Sequence, residues 1–367
     1  MMRACRTPRN VEICITNQCN LRCTYCSHFS SEGSGSDDLP TGEWLAFFEE
    51  LNRCSVLEVV LGGGEPLLRG DLMELVNGIV TNRMRFRIQT NGLLLTLELA
   101  ASLRSTGRCH QVQLSIDGSC PEVHDHFRGD GSFEGVITGL RILQKSRLPI
   151  SVRVTVHKRN VDDLERIATL LLEGFGLPAF STNSASYMGL CRQNADEVQL
   201  GVEEHSRAME ALLRLGDRYP GRILANAGPL SNARHWLDME RARKEGLDPF
   251  PDCGYLRSCG GVFSKITVRA DGVIVPCVQM THIELGRINR SDLRVLWQEH
   301  PGILSLRRRW DVPLGSFEFC RGCPYIPYCR GNCPALAYTI LGVENHPSPD
   351  ACLRRFLDSG GKLPRVS

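Results

Sequence analysis

No stretch of this 367-residue sequence is apolar for long enough to span a bilayer. Its opening residues, MMRACRTPRNVEIC, also lack the apolar run of a secretory signal. Membrane insertion and export are not expected; a cytoplasmic location is. An excess of one charge is missing too, because 43 Lys and Arg face 41 Asp and Glu, a formal charge of +2. That near-balance gives no electrostatic reason to expect nucleic acid. The short basic run Arg307-Arg308-Arg309 reads as the solvated end of a helix. There is no internal repeat, and the Gly/Ser-rich residues 30–36 are a loop too short to be a linker.

Cysteine, in contrast, is plentiful, with 17 residues. Thiols kept reduced do not build a disulfide framework, so metal is the better explanation. "CNLRCTYC" (19–26) puts Cys19, Cys23 and Cys26 within eight positions, and the next cysteine is Cys54. A structural zinc site closes its tetrahedron with four protein ligands. Three thiolates suit a cubane 4Fe–4S cluster whose fourth iron has no protein ligand. A zinc knuckle or a redox thiol loop is the alternative reading of the triplet alone.

Strand-like and helix-like stretches alternate through the first half. Strands are expected at 11–16, 56–61, 84–90, 110–117, 150–156 and 179–184. Helices are expected at 41–54 and from Asp71, a candidate N-cap. Six β/α units imply a parallel sheet, and loops at the C-terminal strand ends then hold the site. The cysteine triplet, "GGGEP" (62–66), "TNG" (90–92) and "SIDG" (115–118) all fall on that rim. Helical stretches 202–219 and 231–245 follow, then a cysteine-rich region with a hairpin turning at Asp271-Gly272. The expected organisation is 1–200, a helical bridge 201–250, and 251–367.

The triplet resembles the C-x3-C-x-aromatic-C motif of the radical S-adenosylmethionine (SAM) superfamily, and Gly63, Gly64, Glu65 and Pro66 match its Gly-Gly-Glu-Pro motif. The resemblance implies a partial (β/α)6 TIM barrel. It also implies that the open iron binds SAM, which the reduced cluster cleaves to methionine and a 5′-deoxyadenosyl radical. It places Tyr25 near the adenine, and Ser115 and Arg128 at the SAM ribose or carboxylate.

The C-terminal cysteines resemble the seven-cysteine SPASM pattern, with Cys253 lying upstream. By that resemblance Cys253, Cys259, Cys277 and Cys333 hold one auxiliary 4Fe–4S cluster. Cys320, Cys323, Cys329 and Cys352 hold the second, making three clusters in all. Two zinc sites on the same ligands are the structural alternative. Full coordination leaves the auxiliary clusters for electron transfer. Of the other six cysteines, most are expected to be small buried hydrophobes. Cys191 is the exception, a candidate hydrogen-atom donor at the active-site rim.

SPASM radical SAM proteins mostly modify peptides and proteins. The expected function is maturation of a ribosomally made precursor peptide by crosslinking, excision or epimerisation. An anaerobic sulfatase-maturating enzyme is the runner-up. That family carries an aspartate general base immediately after the cysteine matching Cys277, where this chain has Val278. A non-catalytic iron–sulfur electron carrier is the third reading. Only 18 residues precede Cys19, so a separate leader-peptide-recognition protein is expected as a partner. A low-potential electron donor of flavodoxin or ferredoxin type is expected as another.

Overall fold

The computed structural model describes residues 4–28 and 38–365; the Gly/Ser-rich loop expected at 30–36 lies outside them. All six expected strands form: β1 (Asn10–Thr16), β2 (Glu58–Gly63), β3 (Arg85–Thr90), β4 (Cys109–Ser115), β5 (Ile150–Val156) and β6 (Phe180–Ser184). They pair in sequence order, each parallel to the next. A short β7 (Ile223–Ala225), not expected from the sequence, extends this edge parallel to β6. Three residues carry too little alternation to be recognised as a strand.

At the other edge β8 (Lys265–Val268) lies parallel to β1, and β9 (Val273–Val275) and β10 (Gly286–Arg287) follow antiparallel. The hairpin turns as expected at Asp271-Gly272, where Gly272 has φ +85°. It belongs to the same ten-stranded sheet as the barrel strands. Helices α1 (Thr41–Arg53), α2 (Leu72–Thr81), α3 (Leu97–Ser105), α4 (Pro121–Arg128) and α5 (Ser132–Lys145) supply the crossovers.

Spacing decides which face of each element is covered. On α1, Trp44, Phe47, Phe48 and Leu51 recur at helical intervals and are all buried. Burying each is worth about 1.5–3 kcal/mol, which outweighs any exposed ion pair on the helix. Asp71 stands at the α2 N-cap position, yet its carboxylate does not cap. It is held instead by Arg69, whose Nε donates at 2.8 Å. On the sheet, Val11, Ile13, Val59, Leu61, Val152 and Val154 join the helices in one core. Side chains alternate along a strand, so Glu12, Gln89, Gln113, Arg153, Ser181 and Asn183 face the inside of the barrel. The inner face is polar, as a binding surface and not a core would be.

Candidate active site

The loop after β1 carries Cys19, Cys23 and Cys26, and its position is set by the glycines after β2. The Gly64 N–H donates to Thr16 O at 2.8 Å, and the Glu65 N–H to Gln18 O at 2.7 Å. A Cβ on Gly64 would lie 2.0 Å from Gln18 O, and one on Gly63 2.4 Å from Thr16 O. Gly63 also has φ +121°. The glycines therefore let the two loops touch. The close approach joins backbone to backbone across the two loops.

Glu65 continues the lacing. Its buried carboxylate accepts from Thr90 Oγ1 at 2.7 Å, Asn91 N at 2.8 Å and Leu67 N at 3.0 Å. Burial raises its pKa against those three hydrogen bonds. Asn91 Nδ2 then reaches Asn20 Oδ1 in the cysteine loop at 2.7 Å. From the other side, Thr24 N donates to Phe127 O at 2.9 Å and Leu190 N to Cys26 O at 2.9 Å. Asn194 Nδ2 donates to Thr24 O at 3.1 Å. The four sequence motifs thus meet on one rim, as expected.

A buried polar hub supports that rim. Asp117, at the end of "SID", is 1% exposed and binds Arg128 Nε at 2.6 Å. The Tyr25 hydroxyl donates to the same oxygen as Arg128, and the other oxygen accepts from Thr155 N at 2.6 Å. Asn160 Nδ2 donates to the Asp117 carbonyl at 2.9 Å. Burial works against the charge on Asp117, but Arg128 and its other neighbours hold its pKa below the usual carboxylate value. Burial pushes Tyr25 well up, so its phenol is a donor at neutral pH. The ring packs on His157 and edge-on to Phe127. Arg128 feels Cys23 and Glu65, which puts its charge beside the triplet. Ser115 ends β4 next to this hub. Sequence reasoning named Tyr25, Ser115 and Arg128 and missed Asp117, His157 and Asn160. The signal was present in "SIDG" and in the polar run directly after β5.

The thiols assemble into three sets. Cys19, Cys23 and Cys26 interact with one another, and burial raises Cys19 and pushes Cys23 up to about 11. Cys259, Cys277 and Cys333 likewise interact, with burial lifting Cys277 to about 11. Cys253 is buried. Its neighbour Gly254 donates to Cys329 O at 2.9 Å. Cys320, Cys323, Cys329 and Cys352 all line one small apolar cavity of about 20 Å³. Among the described residues, no three His, Cys, Asp or Glu side chains converge on a single-ion site. A cubane binds its ligands through separate irons and does not need that convergence. Four thiols around one pocket suit the four irons of such a cluster.

Cys191 departs from expectation. It is not on an open rim but 0% exposed, packed with Tyr25, Phe127 and Val198. Its sulfur accepts from Gln199 Nε2 at 3.0 Å and lies close enough to Cys26 to interact. Of the other spare cysteines Cys14 and Cys54 are buried, whereas Cys5, Cys109 and Cys120 are partly exposed.

Comparison with known proteins follows the same division of the chain. The model of the radical SAM superfamily matches residues 13–171. That of SPASM, an iron–sulfur cluster-binding domain, matches residues 259–324. AdoMet-dependent heme synthase of Methanosarcina barkeri is 28% identical over 95% of this chain and 97% of its own. PqqA peptide cyclase of Ruegeria pomeroyi is 27% identical over 89% of this chain and 83% of its own. Streptococcus suis SuiB bound to precursor peptide SuiA shares the fold, with a TM-score of 0.71 at 16% identity. That match covers 95% of this chain and 76% of SuiB.

Proposed function

The chain is a radical SAM superfamily enzyme with a C-terminal SPASM domain, and from that premise we propose that it matures a ribosomally made precursor peptide. One observation carries the proposal. The three-thiol loop is locked to the GGGEP, TNG and SIDG loops on a single rim, above a polar inner face open to a substrate. A full-length relative named as a peptide cyclase supports a peptide as the substrate.

Cys19, Cys23 and Cys26 would hold the first cluster, which with SAM supplies a 5′-deoxyadenosyl radical. Arg128, held in place by Asp117, brings a fixed positive charge to the SAM carboxylate or ribose. Ser115 offers a hydroxyl from the neighbouring strand end, and Tyr25 closes the adenine side of the loop. Glu65, its carboxylate already committed, keeps the rim from opening. Cys253, Cys259, Cys277 and Cys333 would hold one auxiliary 4Fe–4S cluster and Cys320, Cys323, Cys329 and Cys352 the other. The SPASM family match ends before Cys329, Cys333 and Cys352, so that part of the assignment rests on the resemblance, with Cys329 and Cys352 also sharing one cavity with Cys320 and Cys323. A recognition protein for the leader peptide and a low-potential electron donor complete the proposed system, in the cytoplasm. Among the described residues no helix is long and apolar enough to cross a membrane.

The sulfatase-maturating alternative loses ground at Val278. This residue lines a cavity of about 360 Å³ between the β1 loop and the β8–β9 hairpin, where its side chain cannot accept a proton. A tetrapyrrole substrate is the second reading, favoured by a heme synthase matching almost end to end.

Reconstituted and reduced without oxygen, the enzyme is expected to convert SAM to 5′-deoxyadenosine and to contain about twelve irons per chain. Mass spectrometry of short precursor peptides encoded beside it, co-expressed with it, is expected to show a mass change. SAM cleavage with no peptide altered, together with turnover of an iron porphyrin, would favour the second reading.

A further inference from the structure

Among the described residues, the charges on the inner face of the barrel that are shielded from solvent are paired within the protein, with one exception; Arg85, at the start of β3, is exposed. Glu12 on β1 binds Lys265 of β8 at 2.7 Å. Glu58 on β2 binds Arg87 of β3 at 2.7 Å and also His110 of β4. Arg153, in the middle of β5, is the exception. Its neighbours Val152 and Val154 are 0% exposed in the helix-covered core, so its side chain is on the inside. Among the described residues its guanidinium makes no hydrogen bond and no ion pair. Burial lowers its pKa, with Glu12 the one charge opposing the shift. Holding a half-buried guanidinium without a counter-charge is costly, and proteins seldom do so without a use for it.

The surroundings point the same way. Arg153 pairs in register with Ser115 on one side and Ser181 on the other. Among the described residues, two further inward groups are buried with no hydrogen-bond partner, Ser151 Oγ and Asn183 Oδ1. A guanidinium beside a hydroxyl free to donate, Ser151 Oγ, matches a planar anion, which arginine grips with two parallel N–H bonds. The SAM site has its own arginine. Arg128 is tied to Asp117 and senses Cys23, whereas Arg153 senses neither.

We propose that Arg153 is a specificity residue that binds a carboxylate of the substrate on the inner face of the barrel. The inference rests on the reading above that a substrate enters this face. The carboxylate has two sources, an acidic residue or C-terminus of a peptide, or the propionate of a tetrapyrrole.

The test is equilibrium binding by the reconstituted full chain with SAM present and oxygen absent. One probe set consists of pooled synthetic peptides with Asp, Glu or a free C-terminus, each matched by its amide counterpart. The other is iron coproporphyrin III, matched by its tetramethyl ester. The wild type is expected to bind the carboxylate form of one set about tenfold or more tighter than its neutral match. Arg153→Met is expected to erase that preference and Arg153→Lys to restore part of it. Iron content and the unfolding midpoint show that each variant is folded, and Arg153→Gln stands in where Arg153→Met is not. A preference confined to the porphyrin leaves the role of Arg153 standing and removes the peptide reading. Peptide binding indifferent to carboxylates keeps the peptide reading and removes the role. The role is also overturned if the preference survives in Arg153→Met, if neither set shows one, or if the folded variants lose affinity for SAM itself.

Discussion

At the scale of single residues, the account turns on Asp117. One carboxylate holds Tyr25, Arg128 and the β5 backbone, and both it and Arg128 are nearly sealed from water. Asp117→Asn leaves the Arg128 charge buried without a partner, an error worth about 3–5 kcal/mol. Tyr25→Phe removes one hydrogen bond and should cost about 1 kcal/mol. Chemical denaturation of the two variants is expected to rank them in that order. Asp71 gives the pH dependence. Arg69 clamps it while also donating to Ile15 O at 2.7 Å, immediately before the cysteine loop. That clamp brings the Asp71 pKa down from 3.8 to about 2. Because the folded value is depressed, the clamp contributes fully above about pH 4 and is lost as the pH falls through about 2. Circular dichroism across that window should show Asp71→Asn losing less stability on acidification than the wild type.

Among the elements, the glycines after β2 are the sharpest point of failure. Gly64→Ala drives a methyl into the Gln18 carbonyl, and no flexible side chain stands there to move aside. The expected result is a chain whose iron falls from about twelve to about eight, the SPASM clusters remaining. Iron analysis and the loss of 5′-deoxyadenosine production check it. Retention of all the iron would show that the loops have another way to meet.

How much of this was legible depends on range. The strands show in the sequence because Val, Ile and Leu alternate or run together there, and the cysteine motifs show because their spacing is local. The hub is assembled from "SIDG", from Arg128 on α4 and from the residues after β5, and only the assembled sheet brings these together. Cys191 shows the same limit. Its place after β6 suggested the active-site rim, and it does lie beside Cys26, but the packing of Tyr25, Phe127 and Val198 that covers it is not written in its own neighbourhood. The unmatched charge of Arg153 is equally invisible until Glu12, Lys265, Glu58 and Arg87 have been paired off.

For the molecule as a whole, the cysteine-rich region is joined to the barrel through one core. Ile266, Val268, Ile274, Leu293 and Trp297 bury their side chains in the same cluster as Val11 and Ile13. Trp297 Nε1 donates to Cys5 O at 2.7 Å, and Leu293 N to Glu50 of α1 at 2.8 Å. Removing residues 251–367 would bare the β1 edge and its apolar flank. Such a truncation is expected to aggregate, and the intact enzyme to unfold in a single transition by two independent probes.

The central claim is that SAM coordinates the iron that Cys19, Cys23 and Cys26 leave open. Electron–nuclear double resonance on the reduced enzyme, with SAM isotopically labelled at its amino nitrogen and carboxylate oxygen, tests it directly. The account predicts hyperfine coupling from both labels to the cluster spin, lost when the three cysteines are replaced by alanine. A reduced cluster that shows no coupling to either label, with SAM at saturating concentration, would contradict it.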